Sequence, residues 1–360
     1  RSAGMQSDKY GKIEDMVIAL RMVTPSGTIV TRTVPNTSNG IDVRSLCVGS
    51  EGILGVITEV TVQVHRVPEY KMFEGWLFPD FESGIHAIHE CMRHGTMPVI
   101  TRLNDPGKTA LSAAFKKVES PLKQKISRAM KWYLGKIKGI DFTKCCMMTT
   151  AYEGDYDTFH MQRRESAHIF RKHGGVNLGE GPGNSFKEAK YDFPHVRDYL
   201  MDRGVMGDVS ETSTTWDNLH NLYTKTITNI QKAIRDTGVD PWVGCHISHN
   251  YHTGASLYFT FGCRQIEGRE LDQYLYIKKA AEDSFLQNGG TVSHHHAVGT
   301  EHLPWIEADL SPTGLKAVRA IKDGLDPKSV MNPGKILPGP DPLREWGLTD
   351  EAIASFNKAD

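Results

Sequence analysis

Three adjacent histidines, His294, His295 and His296, stand in the segment 289–300, with a glycine pair before them and another glycine after. Seven of the chain's 16 histidines fall between residues 246 and 302, which points to a common pocket. An imidazole titrates near neutral pH, so such groups can move protons or bind phosphate. In an extended stretch His294 and His296 share one face and His295 takes the other. A metal reading needs further ligands, for which His246, His249 and His252 are the nearby source. No HExxH pattern and no carboxylate frames them, so the cluster is read without a metal. Just downstream of these three, Leu257, Phe259 and Phe261 alternate with Tyr258 and Thr260. A strand that buries the first set turns Tyr258 the other way, beside the histidine-rich flank.

A second chemical signal is the segment 49–59, "GSEGILGVITE", with Gly49, Gly52 and Gly55 at every third position. Glycine permits positive φ and lets backbone N–H groups approach an anionic or planar ligand. The plain alternative is a tight turn ahead of a strand. The segment 178–184, "LGEGPGN", looks like part of a dinucleotide fingerprint, but is read as a loop that neither follows a strand nor opens a βαβ unit. Residues 120–140 read as a basic amphipathic helix. Leu122, Ile126, Met130, Tyr133, Leu134 and Ile137 share one side; Lys123, Lys125, Arg128, Lys131 and Lys138 carry charge, with no acid from 121 to 140. Such a helix suits a membrane surface as well as a solvated face.

These residues need a scaffold, and the chain can build one. It has 360 residues, 39% of them hydrophobic, and Lys+Arg 42 against Asp+Glu 43 for a net charge of −1. That balance argues against nucleic-acid binding. The six cysteines show no CxxC pair and read as core thiols of a reducing compartment. No run of about 18 apolar residues marks a membrane span. The pattern predicts strand, turn and strand over 16–31, with the turn at 25–27, and a strand over 56–64 with alternation at Thr58, Val60, Val62 and Val64. Strands follow near 144–154 and 254–263, and helices over 81–95, 117–138, 157–175, 218–238, 271–290 and 312–324. Strands alternating with amphipathic helices suggest a sheet covered on one face.

Taken in order, "SAGM" (2–5) with "YGKIEDMVIALRMVTPSG" (10–27), then 49–70, "GASLYFTF" (254–261) and "NGGTVSHHHAVG" (288–299) resemble the alkyldihydroxyacetonephosphate synthase family of vanillyl-alcohol-oxidase-like flavoproteins. The resemblance runs through almost the whole chain. It implies an α+β fold: the C-terminal part of a PCMH-type FAD-binding domain at 1–70, a cap domain at 71–288 with an antiparallel sheet flanked by helices, and a segment 289–360 returning to the FAD domain. The chain then begins inside the FAD domain, as a C-terminal fragment. FAD would be held through Ser2, Gly4, Gly49, Ser50, Glu51, Gly52, Gly55, Val56 and Ile57.

The implied activity exchanges the acyl group of acyl-dihydroxyacetone phosphate for a long-chain fatty alcohol, with the flavin as a covalent electron sink and no net redox change. By the same resemblance Tyr258 is the acid/base, His296 tunes it or relays its proton, and His294 and His295 stand close by. Arg197 contacts phosphate or carboxylate and Arg102 lies near the flavin, with His246 and His249 on the substrate side. Lipid substrates, a homodimer and peripheral membrane contact through 120–140 complete the expectation. The compartment would be peroxisomal in a eukaryote, cytoplasmic or peripheral-membrane in a bacterium. The extra histidines of 246–252 and the bacterial look of "MNPGKILP" (331–338) leave room for a second reading, an FAD-linked dehydrogenase or oxidase of a hydroxy acid or alcohol. Those enzymes usually carry a Glu-His pair in the loop where this chain has "SHHHAVG".

Overall fold

A computed structural model describes residues 1–114, 128–189 and 193–356. Its strands form two antiparallel sheets. The small one has the order β2-β1-β3, with β1 Val17–Thr24, β2 Gly27–Val30 and β3 Val56–Val62. Pro25 and Ser26 make the β1–β2 turn, with Gly27 at φ +143. One face of β1 buries Val17, Leu20 and Met22 with Cys47, Ile53 and Leu54. The helix Pro312–Leu325 supplies Val318, Ile321 and Leu325 to the same cluster, so the segment after the histidine loop returns to this sheet. The alternation expected in β3 does not appear as burial. Every residue from Val56 to Val62 is exposed, because none of the described residues covers either face of that edge strand.

The large sheet has seven strands in the order β7-β4-β6-β5-β9-β10-β8. They are β4 Tyr70–Phe78, β5 Ile100–Asn104, β6 Cys146–Gly154, β7 Val176–Gly179, β8 Val205–Thr215, β9 Trp242–Asn250 and β10 Gly254–Arg264. Side chains alternate along each strand, so the sheet has two faces of different chemistry. One face presents Trp76, Phe78, Leu103, Met148, Ile247, Leu257, Phe259 and Phe261 to a single large core. Four helices cover it: α1 Phe81–His94, α2 Tyr156–Lys172, α3 Leu219–Asp236 and α4 Glu270–Gln287. Their apolar stripes bring Ile85 and Ile88, Phe170, Leu222 and Ile230, and Phe285 onto the strands. Helix α1 starts where Asp80 accepts the Ser83 N–H and stops at left-handed Gly95, as its sequence signals. All six cysteines are buried thiols.

The opposite face is polar along β9, β10 and β8, carries a small apolar patch of Phe73, Ile100 and Ala151 on β4, β5 and β6, and is only partly roofed. Residues 6–10 lie over it: Gln6 and Tyr10 donate to the buried carboxylate of Glu153, which also pairs with Lys71 at 2.7 Å. The segment 178–184 departs from its loop reading. Strand β7 runs straight into the helix Glu180–Ala189. Gly183 permits this, because a Cβ there would lie 2.5 Å from the Phe73 carbonyl carbon and 2.6 Å from the Glu74 nitrogen. The arrangement is still no βαβ unit, since β7 pairs antiparallel with β4.

Of the basic helix expected over 117–138, residues 115–127, including Leu122, Lys123, Lys125 and Ile126, lie outside the described part. Residues 128–137 are helical, ending in a widened turn at Tyr133–Ile137. Its apolar stripe is not buried as one: Leu134 packs with Leu77, Ile140 and Cys145, while Met130, Trp132, Tyr133 and Ile137 are exposed. Among the described residues no helix is long and apolar enough to cross a membrane.

The close approach at Gly183 gives a direct test. Backbone cannot give way as a side-chain tip can, so Gly183→Ala should destabilise the chain by about 1–3 kcal/mol, read as a lower urea midpoint.

Candidate active site

Strand register places the chemistry in one row. Tyr258 on β10 stands opposite Glu211 on β8 and opposite His246 on β9, and His246 stands opposite Asn104 on β5. Directly paired residues share a face, so these four side chains cross four strands on the polar side of the sheet. Arg102, two residues before Asn104, joins them on β5. The alternation that buries Leu257, Phe259 and Phe261 is what turns Tyr258 into this row. The rings of His246 and Tyr258 lie 4.7 Å apart at 30°.

Glu211 was invisible to sequence reading, and it organises the histidine loop. Its Oε1 accepts the backbone N–H of His294, His295 and His296 at 2.9, 2.7 and 2.8 Å, together with the Ser293 hydroxyl at 2.9 Å. Burial alone would raise this carboxyl, but His295 and the converging N–H groups hold it well below the ordinary carboxylate range. Three successive N–H groups cannot point to one atom from an extended chain, so the expected split of His295 from its neighbours does not occur. His296 meets the Tyr258 ring edge to face at 5.2 Å, and His295 lies 6.1 Å from the same ring. His294 turns to Tyr251, whose hydroxyl is 2.6 Å from Nε2, and its Nδ1 is 3.0 Å from Nδ1 of His295. His249, at φ +55, stacks against His294, meets the His295 ring at a tilt of 59° and lies 2.7 Å from the Ser7 hydroxyl.

Burial favours the neutral form of His249, His294 and His296. It lowers His249 to about 3 and His294 to about 4, and it lowers His296 as well. His252 is exposed on a turn and stays out of the cluster. The reading that no carboxylate frames the histidines is corrected by Glu211, which with His294 and His295 brings three ligand-type atoms within 4.8 Å. The loop N–H groups already occupy that carboxylate, and its evident work is to anchor the loop.

Two cations flank Tyr258. Arg102 lies with its guanidinium 5.5 Å from the Phe186 ring, and its charge opposes the rise that burial imposes on the Tyr258 phenol. Lys108, which no local pattern marked, sits with Nζ 5.1 Å from the Tyr258 ring centre and 2.7 Å from Nδ1 of His246. Burial, then the charge of Arg102, lowers Lys108 to about 7. Burial and the same two cations hold His246 neutral. Arg197 pairs with Asp208, 3.8 Å away, whose charge also reaches Tyr258. It is half-exposed on the helix Phe193–Met201.

The glycine segment forms a turn beside this site, with positive φ at Gly49, Glu51 and Gly52. Gly55 crosses so close to β1 that a Cβ would lie 2.4 Å from the Val23 carbonyl oxygen. Gly49, Ser50, Glu51, Gly52, Gly55 and Ile57 line a cavity of about 240 Å³ with Met22 and Cys47. This narrow, side-chain-poor trough fits one edge of a planar cofactor. Glu51 does not face it as a free acid: its carboxylate accepts the N–H of Val298 and Gly299, both at 2.8 Å, and so ties the histidine loop to the glycine turn. Val56 is exposed on β3, while Ser2 and Gly4 lie on an exposed stretch next to Arg1, which packs over Gly49.

Fold and site together define a flavoprotein class. Residues 67–336 match the family of FAD linked oxidases, C-terminal domain, and the chain belongs to that family. Within this class it is similar to the alkyldihydroxyacetonephosphate synthase of Trypanosoma brucei brucei, 38% identical over 354 residues, covering 98% of this chain and 57% of the relative. The synthase of Dictyostelium discoideum is 36% identical, covering 94% of this chain and 55% of the relative. A solved alkyldihydroxyacetonephosphate synthase superposes with a TM-score of 0.72 at 34% identity, over 93% of this chain and 56% of that one. The chain thus spans about half the length of the curated relatives it matches.

Two measurements test this site. Glu211→Gln keeps an oxygen for the three N–H groups but removes the charge and sets an NH2 group where Oε2 meets the His294 N–H and His295 Nδ1, so it should cost about 1–3 kcal/mol and speed amide exchange at residues 294–296. For Lys108, the folded state releases its proton near pH 7, whereas the unfolded amine holds it to about 10.4. Between those values the unfolded chain binds more protons, so stability rises with pH. The denaturation midpoint of the parent should therefore gain on that of Lys108→Met as the pH goes from 7 to 10.

Proposed function

We propose that this chain supplies the substrate-handling half of an FAD-dependent alkyldihydroxyacetonephosphate synthase, exchanging the acyl group of acyl-dihydroxyacetone phosphate for a long-chain fatty alcohol. The observation that carries the reading is the seat of Tyr258: a phenol between His246, His295 and His296, with Arg102 alongside, in a chain similar to such synthases over nearly its whole length. The exchange breaks one C–O bond, to the departing carboxylate, and makes another, to the incoming alcohol, so no electrons are gained or lost overall. FAD bound along Gly49–Ile57 supplies the electron-accepting ring the reaction requires.

The rest falls to side chains. Tyr258 removes a proton at the substrate's reacting carbon and returns it. A free phenol titrates near 10 and burial lifts this one further, so the phenolate needs help. Arg102 supplies positive charge, and the edge of His296 faces the ring to take or return the proton. Tyr251, His294 and His295 form a separate hydrogen-bonded line that ends on Glu211 and holds the loop beside His296. Glu211, already fully engaged by the loop, stays ionised and keeps the three imidazoles in place.

The test uses the full-length protein. It should release fatty acid from acyl-dihydroxyacetone phosphate when given hexadecanol, and Tyr258→Phe should lower kcat by roughly 10²–10⁴ with the flavin spectrum intact. Steady flavin reduction by a hydroxy acid, without acyl exchange, would establish the dehydrogenase reading instead.

The reading also needs delivery of a membrane-borne lipid, and the helix end at 128–138 suits it. Trp132 and Ile137 are exposed beside Arg128, Lys131, Lys136 and Lys138. Trp132→Ala together with Ile137→Glu should reduce sedimentation with anionic vesicles while thermal stability is kept; unchanged sedimentation would remove this surface from the account.

A further inference from the structure

We propose that Lys108 and Arg102 together form the seat of a doubly charged oxyanion, the phosphate monoester end of the substrate, on the sheet face beside Tyr258. The identity of the ester rests on the transferase reading; the existence of an anion seat does not. Arg102 lies on β5, and Lys108 lies in the first turn of the helix Pro106–Ala114 that follows the strand, so a tight turn holds both on one side of the sheet.

Among the described residues neither cation has a carboxylate within ion-pair distance. The buried Nε of Arg102 has no hydrogen-bond partner among them either. Lys108 Nζ meets only Nδ1 of His246, a neutral ring that accepts a hydrogen bond and offers no charge. The nearby acids are committed elsewhere. Asp105 accepts the backbone N–H of Lys108 at 2.8 Å and the Tyr223 hydroxyl at 3.1 Å. Glu211 is spent on the histidine loop.

Two basic side chains side by side with no acid partner among the described residues disfavour the fold, and such an arrangement persists where a ligand supplies the missing charge. The geometry favours a phosphate. Arginine offers a planar fork to two oxygens and lysine a point charge to a third, and together they balance a dianion. Arg197, the position to which the family resemblance gives this contact, is half-exposed and turned to Asp208, so the phosphate seat lies with Lys108 instead.

The experiment measures equilibrium binding of dihydroxyacetone phosphate, dihydroxyacetone and hexadecanoate to the full-length flavoprotein and to its Lys108→Met variant, with melting temperatures of both. Methionine keeps the length of the buried stem and removes the charge. The expected result is binding of dihydroxyacetone phosphate weakened by on the order of 10- to 100-fold, with dihydroxyacetone unaffected and melting at or above that of the parent. Inorganic phosphate should compete with dihydroxyacetone phosphate in the parent more strongly than in the variant. Unchanged affinity for the phosphate ester overturns the proposal. So does a loss confined to hexadecanoate, which would make the seat a carboxylate site, or an equal loss for both triose ligands with a lowered melting temperature, which would make Lys108 structural. Acyl exchange is assayed separately: Lys108-dependent phosphate binding without exchange sinks the transferase reading alone, and exchange with Lys108-independent phosphate binding sinks the seat alone.

Discussion

A buried carboxylate that gathers consecutive backbone N–H groups is the constraint from which this site follows. Glu211 draws the chain at His294, His295 and His296 into a tight curl, and three imidazoles that would otherwise splay converge over one strand. Its charge is stabilised by His295 together with those donors, which leaves Arg102 and Lys108 free for other work. A second carboxylate, Glu51, takes the next two free N–H groups of the same loop, at Val298 and Gly299. The loop is thus pinned at one end to the large sheet and at the other to the glycine turn of the small one. Proton-handling groups and the cofactor trough are held in register by two acids acting as hydrogen-bond acceptors.

The large sheet divides its labour between faces. Leu257, Phe259 and Phe261 secure β10 in a deep aromatic and aliphatic core, and that burial fixes where Tyr258 points. A slip of one residue in the β10–β9 or β10–β8 pairing would send the tyrosine into the core and bring the phenylalanines out. The cost of such a slip makes the row of Asn104, His246, Tyr258 and Glu211 a rigid platform. Chemistry on loops alone would lack that precision. The polar face is roofed in part by residues 6–10, with Ser7 touching His249, so the beginning of the chain also belongs to the site.

The electrostatics of the platform are lopsided. Burial holds His249 and His294 neutral, the organising acids are occupied by the histidine loop, and Arg102 and Lys108 have no acid partner among the described residues. A phenol in such surroundings is eased toward its anion while burial resists, and a substrate that brings negative charge completes the balance. Fold alone does not specify which reaction uses that balance, since the same scaffold serves several chemistries.

Much was legible in the residues themselves. Helix α1 carried its own stop at Gly95, the alternation in 256–263 told which way Tyr258 faces, and Gly49 and Gly52 marked a turn of positive φ. Those are local facts, governed by side-chain periodicity and backbone sterics. The helix at 180–189 escaped because its licence is a contact between Gly183 and a strand more than a hundred residues earlier. Glu211 and Lys108 escaped for the same reason. An acid in a strand and a lysine near a helix start are ordinary until strand pairing sets them against His295 and Tyr258. The sequence by itself determined most of the long helices, the strands with clear alternation and the inventory of reactive groups. Tertiary structure alone decided which of those groups meet, because strand register and long-range hydrogen bonds depend on pairings that no local window contains.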